Sequence, residues 1–323
     1  GQYVDDINLH GQLYGYVLRS PHAHALIKSI DTAAAEAAPG VELVLTGKDI
    51  AADGLGTIHC HVPPMAFGGP PSPTPAHPIL ASDRVRCVGD CVAFVVARTA
   101  NEAQDAAELI EVDYEMLPAT ASTRAAVKDG APLVWDENAG NLWFEMDRGD
   151  PAATAACFAK AAHVGKACLP KYRISATAME PRAALADYRI SQRDWTIYMS
   201  SQGTHQHRVV YAEIFNKPAT AFRVVAPDVG GGFGMKGGVF PEDAMCAWAA
   251  MKLCKPVKWT ATRSESLVSD THGRDAECLS EMALDANGKI LAIRVQADYG
   301  VGSYLSSSAP VPACIGSRVY PTP

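Results

Sequence analysis

Apolar and polar residues alternate along the first part of the chain with the two-residue period of half-buried strands, at Tyr14 to Leu18, Ala25 to Ile30 and Val41 to Leu45. Pro39-Gly40 supplies a turn before the third. Cys91 to Ala97 is apolar throughout, as a strand covered on both faces would be. It leads into Thr99-Ala-Asn-Glu102, a capping-box spacing, and then to Ala103, Ala106, Ala107 and Ile110 on one helical face. The seven prolines and the Gly-Gly pair between Pro63 and Pro78 exclude regular structure, so that segment reads as a loop.

After Val112 to Pro118 the composition turns to Ala, Thr and Lys without periodicity until about Val134, which predicts a linker over residues 119–133. An Ala-rich amphipathic stretch follows at Pro151 to Ala162, then strands near Lys166 to Tyr172, Ala183 to Tyr188 and Thr196 to Ser200. A helix over Thr204 to Phe215, a strand over Phe222 to Ala226 and a helix over Pro241 to Leu253 come next. Glu242 and Asp243 at the start of the last helix, with Lys252 and Lys255 near its end, match the helix dipole. Glu281 to Leu284 and Ile290 to Tyr299 flank Asn287-Gly288, a hairpin signal.

With 323 residues the chain outgrows one core, so two domains are expected, and a mean hydropathy of -0.01 is that of a folded chain. The longest apolar run, Val92 to Ala97, is far short of the roughly 18–20 residues of a membrane span. Residues Gly1 to Asp6 hold neither a basic nor an apolar leader region and no initiator Met, so the native start is expected upstream. A net charge of -7 argues against nucleic acid as a partner. Nine scattered cysteines without a C-x-x-C pair fit reduced thiols, hence the cytoplasm, with periplasmic export as an assembled complex left open.

The most unusual stretch is Asp228-Val-Gly-Gly-Gly-Phe-Gly-Met-Lys-Gly-Gly238, with six glycines between a predicted strand and a predicted helix. Glycine admits positive φ and removes the Cβ barrier, so successive N–H groups can converge on an anion or an oxo group. Gly232, Gly234 and Gly237 also fit the spacing of a dinucleotide fingerprint, and Arg263, placed near the end of the next predicted strand, could face a 2′-phosphate. An NADP-dependent dehydrogenase is therefore an alternative, as is a non-catalytic structural fragment. Against the first, the helix begins at Pro241, after the glycines, and no further βα alternation follows. The pairs His22/His24, His59/His61 and His205/His207 are read as structural or solvated histidines, Cys87 and Cys91 as buried thiols, and no residue is assigned as a metal ligand.

Gly230-Gly-Gly-Phe-Gly234 with Lys236 resembles the cofactor loop of the molybdenum-cofactor subunit of xanthine dehydrogenase, aldehyde oxidase and carbon monoxide dehydrogenase-type hydroxylases. Tyr3-Val-Asp-Asp-Ile7, Arg19-Ser-Pro-His-Ala-His24, Pro39-Gly-Val41 and Leu45-Thr-Gly47 resemble that family's opening, and Val88-Gly-Asp90 and Val112-Asp-Tyr-Glu115 the end of its α/β hammerhead domain. Met179-Glu-Pro-Arg182 and Ser200-Ser-Gln202 resemble the start of its molybdopterin-binding region, and all these motifs stand in the family's order. Cys91 departs from the family, which usually has proline there.

The resemblance implies an α+β fold, with a hammerhead domain over 1–118, the linker over 119–133 and the first, incomplete part of a molybdopterin-binding domain over 134–323. It implies hydroxylation of an aldehyde, an N-heteroaromatic or a similar small substrate, or oxidation of carbon monoxide, with oxygen drawn from water. The implied cofactor is molybdenum–molybdopterin in a cytosine dinucleotide form, and partner subunits would carry iron–sulfur clusters and FAD. Gln202 matches the glutamine whose amide approaches the metal's apical oxygen, while Gly231, Gly232, Phe233 and Gly234 match the backbone against the metal–pterin centre. Gly237 stands where purine-oxidising relatives carry a glutamate. The family's carboxylate base and arginine loop are expected beyond Pro323, on a missing C-terminal portion, and Glu180 and Glu242 are given ordinary structural roles.

Overall fold

The computed structural model describes residues 1–61, 75 and 77–305, so the prediction of a loop over Pro63 to Pro78 falls mostly outside the described residues. Near its end, His77 forms an isolated β-bridge with Ile58. The chain divides into two compact units whose segments interleave. Unit 1 comprises residues 1–59, 75–118 and 175–271, and unit 2 comprises 60–74, 119–174 and 272–323.

The strands are β1 (Leu13–Arg19), β2 (Ala25–Asp31), β3 (Val41–Thr46), β4 (Arg84–Val85), β5 (Cys91–Ala97), β6 (Glu111–Met116), β7 (His163–Lys171), β8 (Ala183–Arg189), β9 (Asp194–Met199), β10 (Phe222–Val225), β11 (Val257–Thr260), β12 (Ala276–Leu284) and β13 (Ile290–Tyr299). The helices are α1 (Ala33–Glu36), α2 (Gly47–Ala52), α3 (Ala100–Ala107), α4 (Thr123–Ala126), α5 (Pro151–Lys160), α6 (Thr204–Phe215), α7 (Pro241–Leu253) and α8 (Arg263–Ser269).

Unit 1 is built on a seven-stranded sheet in the order β10-β9-β8-β11-β1-β5-β3, with a smaller sheet β4-β2-β6 beside it. β5 lies between β1 and β3, and all seven of its residues are buried. Its alternate side chains serve two cores, which is why its sequence does not alternate. Phe94 and Val96 join the large core that contains Trp195, Trp248 and Trp259, while Ala93 and Val95 face Ala106 and Ala107 of α3. Thr99 caps α3 by accepting from the Glu102 N–H at 3.2 Å, as the spacing predicts.

α7 is almost wholly buried from Pro241 to Ala250 and packs against β8 and β11. Its small residues, Ala244, Ala247, Ala249 and Ala250, permit that close approach, and Trp195 Nε1 donates to the Ala247 carbonyl at 3.0 Å. At its start Asp243 Oδ2 accepts from the Phe240 N–H at 2.9 Å, and Cys254 ends it in the left-handed region at φ 50°.

Unit 2 holds the antiparallel sheet β13-β12-β7 with α4 and α5. The hairpin turn at Asn287-Gly288 forms as expected, with Asp285 Oδ1 accepting from the Asn287 and Lys289 N–H groups and Gly288 at φ +82°. Pro170 sits within β7, an edge strand, where a missing N–H breaks no ladder. Residues 119–133 contain α4, capped by Ser122. α5 begins at Pro151, is capped by Asp150 and buries no residue fully; its Phe158 lies 4.5 Å from the Arg294 guanidinium. Arg263 does not end a strand as expected; it opens α8 and donates to the Met179 carbonyl at 3.0 Å. The eight described cysteines are free thiols.

Candidate functional site

Three segments of unit 1 meet at the glycine loop: the turn after β9 that carries Gln202, the segment before β8 that carries Glu180, and residues 228–238 between β10 and α7. The loop reverses through two left-handed residues, Phe233 at φ 53° and Gly234 at φ +84°, and closes in a short 3-10 turn at Met235–Gly237 before α7 begins. Phe233 is 75% exposed, an arrangement a folded chain does not adopt to bury apolar surface.

Gln202 lies against this loop. Its Oε1 accepts from the Gly234 N–H at 2.9 Å and its own N–H donates to the Lys236 carbonyl at 3.0 Å. With Oε1 engaged, the amide is oriented so that Nε2 is the end left for other partners. A Cβ on Gly232 would come within 2.4 Å of Gln202 Cδ, so close approach favours glycine there, whereas Gly231 sits at φ +101°, where an L side chain is strained. At Gly234 and Gly237 a Cβ would meet nothing within 4 Å. Among the described residues, nothing accepts from the N–H groups of Gly231, Gly232 and Phe233.

The residues present fit a molybdopterin-type cofactor. Consecutive unpaired N–H groups, a neutral amide and open space beside Gly234 form a set of uncharged donors that can hold an oxo or phosphate oxygen without protonating it. They fit the dinucleotide alternative poorly: α7 starts at Pro241, past the last glycine, and Arg263 is turned to Met179.

The loop is anchored from beneath by polar contacts that join Lys236, a residue of the motif itself, to Glu180, and Ser201 to His207. Lys236 is buried and its Nζ donates to Glu180 Oε2 at 2.8 Å and to the Glu180 carbonyl at 2.9 Å. Ser201 Oγ lies 2.8 Å from His207 Nδ1 and accepts from the Gly203 N–H at 2.9 Å, fixing the turn after Gln202. Burial lowers the His207 pKa, favouring the neutral ring.

Glu242, in the first turn of α7, is 1% exposed and does more than complement a dipole. Its Oε1 takes Arg19 and its Oε2 takes Arg182 at 2.9 Å, while Arg182 Nε reaches Asp270 at 2.6 Å and Arg19 reaches Glu265 at 2.7 Å. Burial pushes the Glu242 carboxyl up, but Arg182 and Arg19 outweigh it and hold the group well below the usual carboxylate range. The motifs around Arg19 and Arg182 are thus tied to the helix that follows the loop. Cys91 lies 3.4 Å from Arg19 in the same cluster, its thiol pushed far up by burial.

Two family models match the chain: the aldehyde oxidase and xanthine dehydrogenase a/b hammerhead domain over residues 1–118 and the molybdopterin cofactor-binding domain over 134–322. The chain belongs to the molybdenum hydroxylase family. Within it, the chain is 36% identical to the carbon monoxide dehydrogenase large chain of Afipia carboxidovorans, over 99% of this chain and 41% of that protein. It is 33% identical to the nicotine 6-hydroxylase large subunit of Paenarthrobacter nicotinovorans, over 94% and 36%. Quinoline 2-oxidoreductase from Pseudomonas putida 86 superposes with a TM-score of 0.85 at 35% identity, over 92% of this chain and 37% of that one. The chain therefore spans about two fifths of the length of these molybdenum hydroxylase relatives. Among the described residues, no helix is long and apolar enough to cross a membrane.

Proposed function

We propose that this chain forms the front part of the molybdenum-cofactor subunit of a hydroxylase that oxidises an aldehyde, an N-heteroaromatic, carbon monoxide or a similar small molecule. The observation that carries this reading is the donor surface of the loop: three consecutive N–H groups without acceptors among the described residues, beside Gln202, whose side chain is pinned through Oε1. Bound there, a molybdenum–pterin group would supply the redox chemistry and activate the water-derived oxygen. The chain's own residues would orient it: Gln202 would offer the Nε2 end of its amide as a neutral donor, and Gly231, Gly232, Phe233 and Gly234 would present backbone to it. The cytosine dinucleotide form, iron–sulfur and FAD partner subunits, a cytoplasmic site and the division into 1–118, 119–133 and 134–323 follow from the same family reading. So does a base on a C-terminal portion outside this chain.

The test is metal and nucleotide analysis of the assembled complex. Molybdenum with a pterin that releases a cytidine nucleotide on hydrolysis is expected; bound NADP, or neither group, would reject the proposal. Gln202→Ala is expected to lower kcat roughly 10²-fold with molybdenum content unchanged, by analogy with the loss of one oxyanion donor. Unchanged turnover at full metal loading would remove Gln202 from the site.

A further inference from the structure

We infer that Glu180 and Lys236 are positioning residues, a buried clamp that holds the glycine loop in the one shape in which its unpaired N–H groups and the Gln202 amide face the same ligand. The identity of that ligand rests on the function proposed above; the clamp does not.

The bonds form a continuous path. Glu180 Oε2 accepts at 2.8 Å from both the Gly230 N–H, where the loop enters, and Lys236 Nζ, where it leaves. The Glu180 N–H donates back to the Gly230 carbonyl at 3.1 Å. From Lys236 the path runs through its carbonyl to the Gln202 N–H at 3.0 Å, and from Gln202 Oε1 to the Gly234 N–H at 2.9 Å, in the middle of the loop. One carboxylate oxygen therefore ties the two ends of the loop together and, through Lys236, sets the residue that faces its centre. Gly230 is required for this approach, since a Cβ there would lie 2.5 Å from Glu180 Cβ.

The arrangement is a poor device for stability alone. The Lys236 side chain has no exposed surface and that of Glu180 has 11%, so both charges give up hydration. Glu180 Oε1 is buried and has no hydrogen-bond partner among the described residues. Well-packed apolar residues are often at least as stable as such a pair, and a half-satisfied carboxylate is worse than a full one. What the pair supplies that apolar residues cannot is a fixed, charge-assisted register between Gly230, Lys236 and Gln202.

The experiment is residue-resolved amide hydrogen exchange on the full chain without cofactor, alongside thermal melting, for Glu180→Gln, Lys236→Met and the double variant. The double variant leaves no buried charge unpaired, so its melting temperature is expected to return close to wild type even where the single variants fold poorly. The amides of Gly234 and Gln202, which the path reaches through Lys236, are nevertheless expected to exchange about tenfold faster or more in it, while those of α7 and β8 keep their protection. Loop protection that is unchanged, that returns together with the melting temperature, or that falls in step with the core would overturn the clamp. Because no cofactor is present, this outcome is independent of whether the complex carries molybdenum.

Discussion

A methyl group added at Gly232 and one added at Gly237 would meet opposite conditions on the same loop. At Gly232 it would collide with the Gln202 side chain at 2.4–2.6 Å, whereas at Gly237 it would meet nothing and the backbone needs no positive φ. Gly232→Ala is therefore expected to destabilise the chain by about 1–3 kcal/mol and to release Gln202 from Gly234, while Gly237→Ala stays within about 0.5 kcal/mol of wild type. Urea unfolding of the two variants measures the contrast, and equal costs would mean that the loop is free to relax around Gln202. Gly237 also bears on substrate choice under the proposed function. A purine that lacks a carboxylate partner at this position forgoes about 1.5–3 kcal/mol, so the assembled complex is expected to oxidise xanthine and hypoxanthine poorly against aldehydes or N-heteroaromatics. Comparing kcat/KM across these substrates settles the point, and efficient xanthine oxidation would refute it.

At the scale of elements, α7 joins the loop to the core and carries two adjacent carboxylates whose pKa values are pushed in opposite directions. Arg19 and Arg182 keep Glu242 ionised, whereas burial pushes Asp243 up to about 7 from an ordinary value of 3.8. An unfolded chain releases the Asp243 proton near pH 4, so the folded state gains from holding it below that pH and loses the gain as pH rises to about 7. Asp243→Asn keeps an acceptor for the Phe240 N–H and abolishes the titration. Its stability relative to wild type is expected to rise by about 1–4 kcal/mol between pH 4 and pH 8. Denaturation at both pH values tests this, and a difference independent of pH would place the Asp243 proton elsewhere. The elements themselves were legible to different degrees. α6, α7 and β5 match their predicted bounds because their signals are local: caps, a helical period, an unbroken apolar run. α8 escaped notice although Thr262-Arg-Ser-Glu265 repeats the cap spacing read at Thr99, and Thr262 does accept from the Glu265 N–H at 3.1 Å. Of the site, Gln202 and the glycines were legible through motif order. The Glu180–Lys236 pair and the Arg19–Glu242–Arg182 cluster were not, because their partners lie 56, 223 and 60 residues apart and no periodicity reports such contacts.

The whole molecule interleaves its sequence in a way no linear reading could show: unit 1 takes residues from three stretches of the chain, and unit 2 from the two stretches between them and the one that follows. The 35 acidic residues of the chain include none on the family's base motif, so under the proposed function the chain alone is expected to give no single-turnover hydroxylation. Turnover should appear when it is assembled with the remaining part of a full-length relative-like subunit. Equal turnover by the isolated chain would place the base within it. The strand order carries a consequence for biosynthesis. β3, β5 and β1 leave the ribosome early and β8, β9 and β10 later, yet the two groups are joined through β11, where Leu13 pairs with Val257 and Ala186 with the same residue from the other side. Until translation has passed Thr260, the outward edges of β1 and β8 have no mate, and an unpaired edge is a template for strands of other nascent chains. Vectorial synthesis thus leaves this sheet open at its centre until β11 is made, and between Val225 and Val257 the emerging chain holds two half-sheets waiting for one short strand.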